Sequence, residues 1–121
     1  MITKELKALV KDEAQKLKKF ALPKELERLD FSKIDPQHPH RCIYGQMARF
    51  CWSERAKELL NQCAQPFSIY ISKYEKSLKQ FFESDRGKDV FSPIEFYINQ
   101  DGAKTESLIN FLKGKSETLE L

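Results

Sequence analysis

The first strong pattern in the chain runs over residues 3–21. There Leu6, Leu9, Val10, Leu17, Phe20 and Ala21 fall on one arc at the helical period of 3.6 residues. Thr3 is a suitable N-cap for this helix. Pro23 either stops it or opens a short second helix at about 23–30, with Leu26 and Leu29 on one side. Phe31 and Ile34 return the chain to the core. Residues 35–40 read Asp-Pro-Gln-His-Pro-His. Each proline lacks an amide donor and pushes the residue before it out of the helical region, so a surface loop is expected here.

Residues 41–52 are ambiguous. Ile43, Met47 and Phe50 stand at i, i+4 and i+7, which fits a short helix, and Gly45 weakens it. Ser53 caps a clearer helix over 54–64, with Ala56, Leu59, Leu60 and Cys63 on one face. Phe67, Tyr70, Ile71, Tyr74, Leu78, Phe81 and Phe82 share an arc over 67–84 and predict another helix. Ser92-Pro93-Ile94-Glu95 combines a capping serine, a proline at the first helical position and a glutamate three residues after the cap. That is a capping-box signature, and the helix it opens should run to about Asn99. Asp101-Gly102 reads as a turn. A last helix is expected at about 103–113, ending at Gly114.

These elements predict an all-α chain, a compact single-domain bundle of five to six helices of unequal length. The domain is expected over 1–114, with a frayed tail at 115–121. The composition agrees. The chain has 121 residues, 40% hydrophobic and 32% charged, enough apolar material for one core. Valine occurs twice and glycine four times, too few for a sheet-rich protein. No apolar run approaches the roughly 20 residues of a membrane span. Charges through the first residues leave no room there for a signal peptide's apolar stretch. Three irregularly spaced cysteines, Cys42, Cys51 and Cys63, do not form a disulfide framework, so a reducing, cytoplasmic setting is expected.

Enzyme signatures are absent. The glycines are scattered, no serine sits in a nucleophile elbow, and the carboxylates alternate with lysines at helical surface positions. The expected protein is therefore non-catalytic and needs no cofactor. Three binding readings follow. The leading one is a protein–protein interaction module, such as an adaptor, inhibitor or regulator, working through residues 36–55. That segment places Arg41, Arg49 and Arg55 among Ile43, Tyr44, Met47, Phe50 and Trp52, and Tyr, Trp, Met and Arg are the types enriched at binding interfaces. Tyr44 and Trp52 cannot both share the arc of Ile43, Met47 and Phe50, so at least one of them is expected at the surface. The partner-contacting set is Arg41, Tyr44, Arg49, Trp52 and Arg55.

The alternative is a nucleic-acid-associated protein. Lys4, Lys7, Lys11 and Lys18 line one stripe of the first helix and could track phosphates. The net charge of +3 is modest for that role. A third reading is a small metal-binding module using His38, His40, Cys42 and Cys51. The residue types suit zinc, but the spacing is poor and no bound metal is expected. Arg41 beside Cys42 also raises the thought of an activated thiol, although no group to orient a base is evident.

Overall fold

The computed structural model describes residues 2–35, 38–64 and 92–121. In chain order they form α1 (Lys4–Phe20), α2 (Pro23–Glu27), a 3-10 turn (Phe31–Lys33), α3 (Ile43–Ala48), α4 (Glu54–Cys63), α5 (Pro93–Ile98) and α6 (Thr105–Leu112). No strand occurs among the described residues. The chain is an all-α bundle of unequal helices, as the hydrophobic period predicts. The helix expected over 67–84 lies outside the described residues.

α1 is the element against which α4, α5 and α6 pack. Its cap is the expected one, with Leu6 N–H donating to Thr3 Oγ1 at 3.0 Å. Leu6, Val10, Ala14 and Leu17 recur at intervals of three and four and are fully buried. Pro23 forces Leu22 into an extended conformation and so ends the helix. Leu22 N–H then donates to the side chain of Glu25 at 2.8 Å, which starts α2. α2 stops at Glu27, short of the expected 30, although Leu26 and Leu29 are both buried. α4 returns along α1. At its start Arg55 Nη2 donates to the Phe20 carbonyl at 3.0 Å, so the C-terminal end of α1 meets the N-terminal end of α4.

α6 closes at Gly114, whose φ of 75° only glycine adopts without strain, and Lys115 N–H donates to the Asn110 carbonyl at 2.8 Å. Residues 115–121 carry no helix, but they are not frayed as expected. Leu119 and Leu121 pack against the core, and Glu120 N–H donates to Ser107 Oγ at 2.8 Å. The two leucines bury apolar area in an extended stretch that has no helical period to announce it.

A pair of buried carboxylates ties the helices together. Ser92 caps α5 as expected, accepting from Glu95 N–H at 3.3 Å. The glutamate does not complete the box by reaching back. Glu95 Oε1 instead accepts from Ile43 N–H at 3.3 Å, at the start of α3. Glu13, from the middle of α1, serves the start of α5. It accepts from Ile94 N–H at 2.8 Å and from the Ser92 hydroxyl at 2.8 and 2.6 Å. The Tyr44 hydroxyl donates to its other oxygen at 2.6 Å. Each carboxylate thus satisfies an amide that a helix start leaves unpaired.

Burial in this setting pushes Glu13 up to about 7 against the pull of its three donors, and it pushes Glu95 up to about 8. The folded chain therefore holds protons that the unfolded chain releases from about pH 4.5 upward. Stability should accordingly be greatest near pH 4.5–5 and fall as pH rises to about 8, by a few kcal/mol from the pair. Thermal melts across that range check the sign. A melting temperature that rises steadily from pH 5 to pH 8 would contradict it.

Candidate functional site

α3 is a short helix held at both ends by other parts of the chain. Its start bonds to Glu95, and Tyr44 anchors it to Glu13. Its end is abrupt. Arg49 follows Ala48 with φ 77° and ψ −44°, the one positive φ among the described non-glycine residues. Such a conformation costs on the order of 1–3 kcal/mol and persists only where neighbours enforce it. Four hydrogen bonds do so here. His40 Nδ1 lies 2.6 Å from the Arg49 carbonyl, and since a carbonyl only accepts, Nδ1 carries the proton. Cys51 N–H donates to the Pro39 carbonyl at 2.8 Å. The Ser53 hydroxyl donates to the Ala48 carbonyl at 3.0 Å, and Arg28 Nη1 donates to the Met47 carbonyl at 2.6 Å.

The bend breaks the period that groups Ile43, Met47 and Phe50. Ile43 and Met47 are fully buried, while Phe50 turns outward beside the His40 ring, with centroids 6.2 Å apart. Trp52 is 70% exposed. The expectation that Arg49 and one of Tyr44 and Trp52 face solvent is met by Arg49 and Trp52. Tyr44 is buried on Glu13 and is removed from the partner-contacting set, because its hydroxyl is committed to that carboxylate.

Arg55 also has another task. Its guanidinium bridges both oxygens of Glu25 at 2.7 and 2.9 Å, Glu58 at 2.7 Å and the Phe20 carbonyl. The hydrogen bonds from Arg55 hold the Glu25 carboxyl below its ordinary range. Arg55→Ala should therefore cost about 1–3 kcal/mol, because it leaves a nearly buried charge unpaired. Arg49→Ala should stay within about 0.5 kcal/mol. Urea titrations of the two variants compare them directly, and equal losses would contradict the assignment of Arg55 as a clamp.

Gly45 lets the 38–40 turn press onto α3. A methyl group there would collide with the Pro39 carbonyl oxygen and sit 3.0 Å from Cys42 Sγ. Gly45→Ala normally helps a helix, but here the backbone clash dominates. A loss of about 1–3 kcal/mol in a denaturant melt is expected, and a stabilised variant would show that the turn is not seated on the glycine.

The four residues of the metal reading are neighbours in part. His38 Nδ1 accepts from His40 N–H at 3.1 Å, and the two rings lie 5.7 Å apart. Cys42 Sγ accepts from Gly45 N–H at 3.3 Å and so caps α3. Among the described residues, no group of three or more His, Cys, Asp or Glu side chains is placed to hold a metal ion. The ring nitrogen of His40 that faces inward is already taken by Arg49. Burial, with Glu95 close by, pushes the Cys42 thiol up to about 12, the opposite of the shift that an activated thiol needs. Burial does the same to Cys63.

The lysine stripe is partly occupied. Lys18 Nζ sits 5.2 Å from the centre of the Phe111 ring, while Lys4 and Lys11 are exposed and Lys7 is half-buried.

Leu22 has no mark in the helical period, and Phe20, read on the apolar arc of the first helix, is exposed as well. Among the described residues the exposed large apolar side chains are Phe20, Leu22, Phe50 and Trp52. The first two sit on the turn between α1 and α2, and the others on the turn between α3 and α4. Arg55 joins the start of α4 to Phe20 and Glu25, and Arg28 joins the end of α2 to Met47. Both turns are therefore tied to α2. Comparison of the chain with family models, with curated proteins and with solved structures gave no match. No helix among the described residues is long and apolar enough to cross a membrane.

Proposed function

We propose that this protein is a non-catalytic protein–protein interaction module that engages its partner through the Arg49–Trp52 turn, with Phe20 and Leu22 extending the contact. The observation that carries this reading is the gathering of the exposed large apolar side chains on two turns beside α2. A single exposed leucine is ordinary. A tryptophan 70% exposed, with Phe50 two residues before it and a strained residue directing both outward, is the composition of a binding hot spot. Arg41 and Arg49 are exposed and make no ion pair among the described residues, so the partner face should offer an apolar recess bordered by carboxylates. Arg41, Arg49 and Trp52 remain from the sequence-derived set, and Phe50 joins them.

The test pairs capture with folding. Wild type, Trp52→Ser and a Lys4→Glu/Lys7→Glu/Lys11→Glu variant are each used as bait, with circular dichroism melts run alongside. The reading expects a protein retained by wild type and by the lysine variant, and lost from Trp52→Ser with its melt unchanged. Salt-sensitive nucleic acid retained by wild type and lost only from the lysine variant would instead favour the stripe on α1. Gel filtration over a range of concentrations identifies a second copy as the occupant.

A further inference from the structure

Cys42 stands at the start of α3 and Cys51 three residues past its end, nine residues on, a span that a continuous helix would hold about 13–14 Å apart. The 38–40 turn brings them together. Cys42 N–H donates to the His38 carbonyl at 3.0 Å, and Cys51 N–H donates to the next carbonyl, that of Pro39, at 2.8 Å. The Cys42 thiol lies over the same Pro39 oxygen at 4.0 Å. Both cysteines are gathered on one carbonyl group, Cys51 by its amide and Cys42 by its thiol. Cys42 is buried and Cys51 half-buried, so one of the pair is open to solvent. Cys63 is buried at the far end of α4 and takes no part.

We propose that Cys42 and Cys51 are a thiol pair that a hydroperoxide closes to an intramolecular disulfide, fastening the Arg49–Trp52 turn to the start of α3. Cys51, the more exposed of the two residues, attacks the terminal peroxide oxygen as its thiolate. The O–O bond breaks, an alcohol or water leaves, and Cys51 becomes a sulfenic acid. The Cys42 sulfur then displaces the sulfenic oxygen. The S–S bond forms, the S–O bond breaks, and the proton of Cys42 leaves with the hydroxide as water. The two thiols lose two electrons, and the peroxide gains them.

The order of events follows from position. Burial keeps Cys42 protonated and away from the oxidant, so it acts second, and the Pro39 carbonyl shared with Cys51 supplies the proximity that a protonated thiol needs. An S–S bond of about 2.05 Å requires the two sulfurs to be drawn together. Cys51 lies on a turn and Cys42 in a helix cap, so Cys51 is the residue that moves, and Trp52 moves with it. The inference does not depend on the turn binding a protein.

The test treats the reduced full-length chain with hydrogen peroxide, alkylates it after unfolding and maps the thiols by mass spectrometry. The chain is expected to lose the mass of two hydrogens and to stay monomeric. Cys42 and Cys51 should escape alkylation while Cys63 is labelled. The emission of Trp52, the sole tryptophan, should fall through quenching by the adjacent disulfide, and dithiothreitol should restore it. Cys51→Ser should abolish the product. Cys42→Ser retains a capping side chain and so should fold, and it should leave Cys51 as a sulfenic acid that dimedone traps. Free Cys42 and Cys51 after treatment would overturn the proposal. So would a Cys51–Cys51 linked dimer, or a disulfide that includes Cys63.

Discussion

Glu13→Ala should destabilise the protein by about 3–5 kcal/mol, the largest loss expected of any polar substitution in the described core. The methyl group leaves three donors without an acceptor: Ile94 N–H, the Ser92 hydroxyl and the Tyr44 hydroxyl. Each buried donor left unsatisfied costs about 1–3 kcal/mol, and the emptied volume adds to that. The variant also regains the cost of holding a carboxyl in the interior, which keeps the total at the lower end of the simple sum. Glu13→Gln is the control. It keeps an acceptor for Ile94 N–H and removes the titration, so it should lose much less and melt with a weaker dependence on pH between 5 and 8. Urea denaturation of the three proteins at pH 6 makes the comparison. Equal stability of Glu13→Ala and wild type would show that the carboxyl does not join α1 to α5 and α3.

The second large effect is on binding. Phe50→Ser/Trp52→Ser should leave unfolding free energy within about 0.5 kcal/mol of wild type, since neither ring completes the core. The same pair should weaken the partner complex by more than about 2 kcal/mol, roughly a thirtyfold rise in Kd. Calorimetry with the captured partner reads the second quantity and thermal melts the first. Tyr44→Phe should show the reverse pattern, because its hydroxyl serves Glu13 and not the surface.

The helix starts and stops were legible because they are local. Thr3, Ser53 and Ser92 each cap a helix with a side chain that bonds an amide three residues on, and Gly114 takes the positive φ at the end of α6. Pro23 acts on its immediate neighbour in the same way. The parts that were not legible are tertiary. Glu13 looks like one more solvated acid among lysines, and its partners lie 79 and 81 residues away in the sequence. Glu95 fits the capping-box pattern, but Ile43 N–H offers it a buried amide and so draws it away from Ser92.

Phe50 extends the period of Ile43 and Met47, so the pattern placed it inside. What turns it out is the backbone of Arg49, and an arginine with positive φ has no signature in composition. That Tyr44 and Trp52 would not both pack inward was legible from the helical wheel. Which of them packs was not, because the answer depends on the carboxylate that receives the Tyr44 hydroxyl. Leu119 and Leu121 escaped notice for a similar reason, since alternate leucines in a short tail fit no helix.

The central claim is that the Arg49–Trp52 turn is the surface on which a partner protein sits. Site-specific photocrosslinking tests it most directly. A benzophenone amino acid is placed at position 54, exposed beside the turn, in one protein and at position 11, on the lysine stripe of α1, in another, and both are irradiated in the source cell. The account predicts a discrete protein adduct from position 54, its loss when Trp52→Ser is added, and no such adduct from position 11. No adduct from position 54, or the same adducts from both positions, would contradict it.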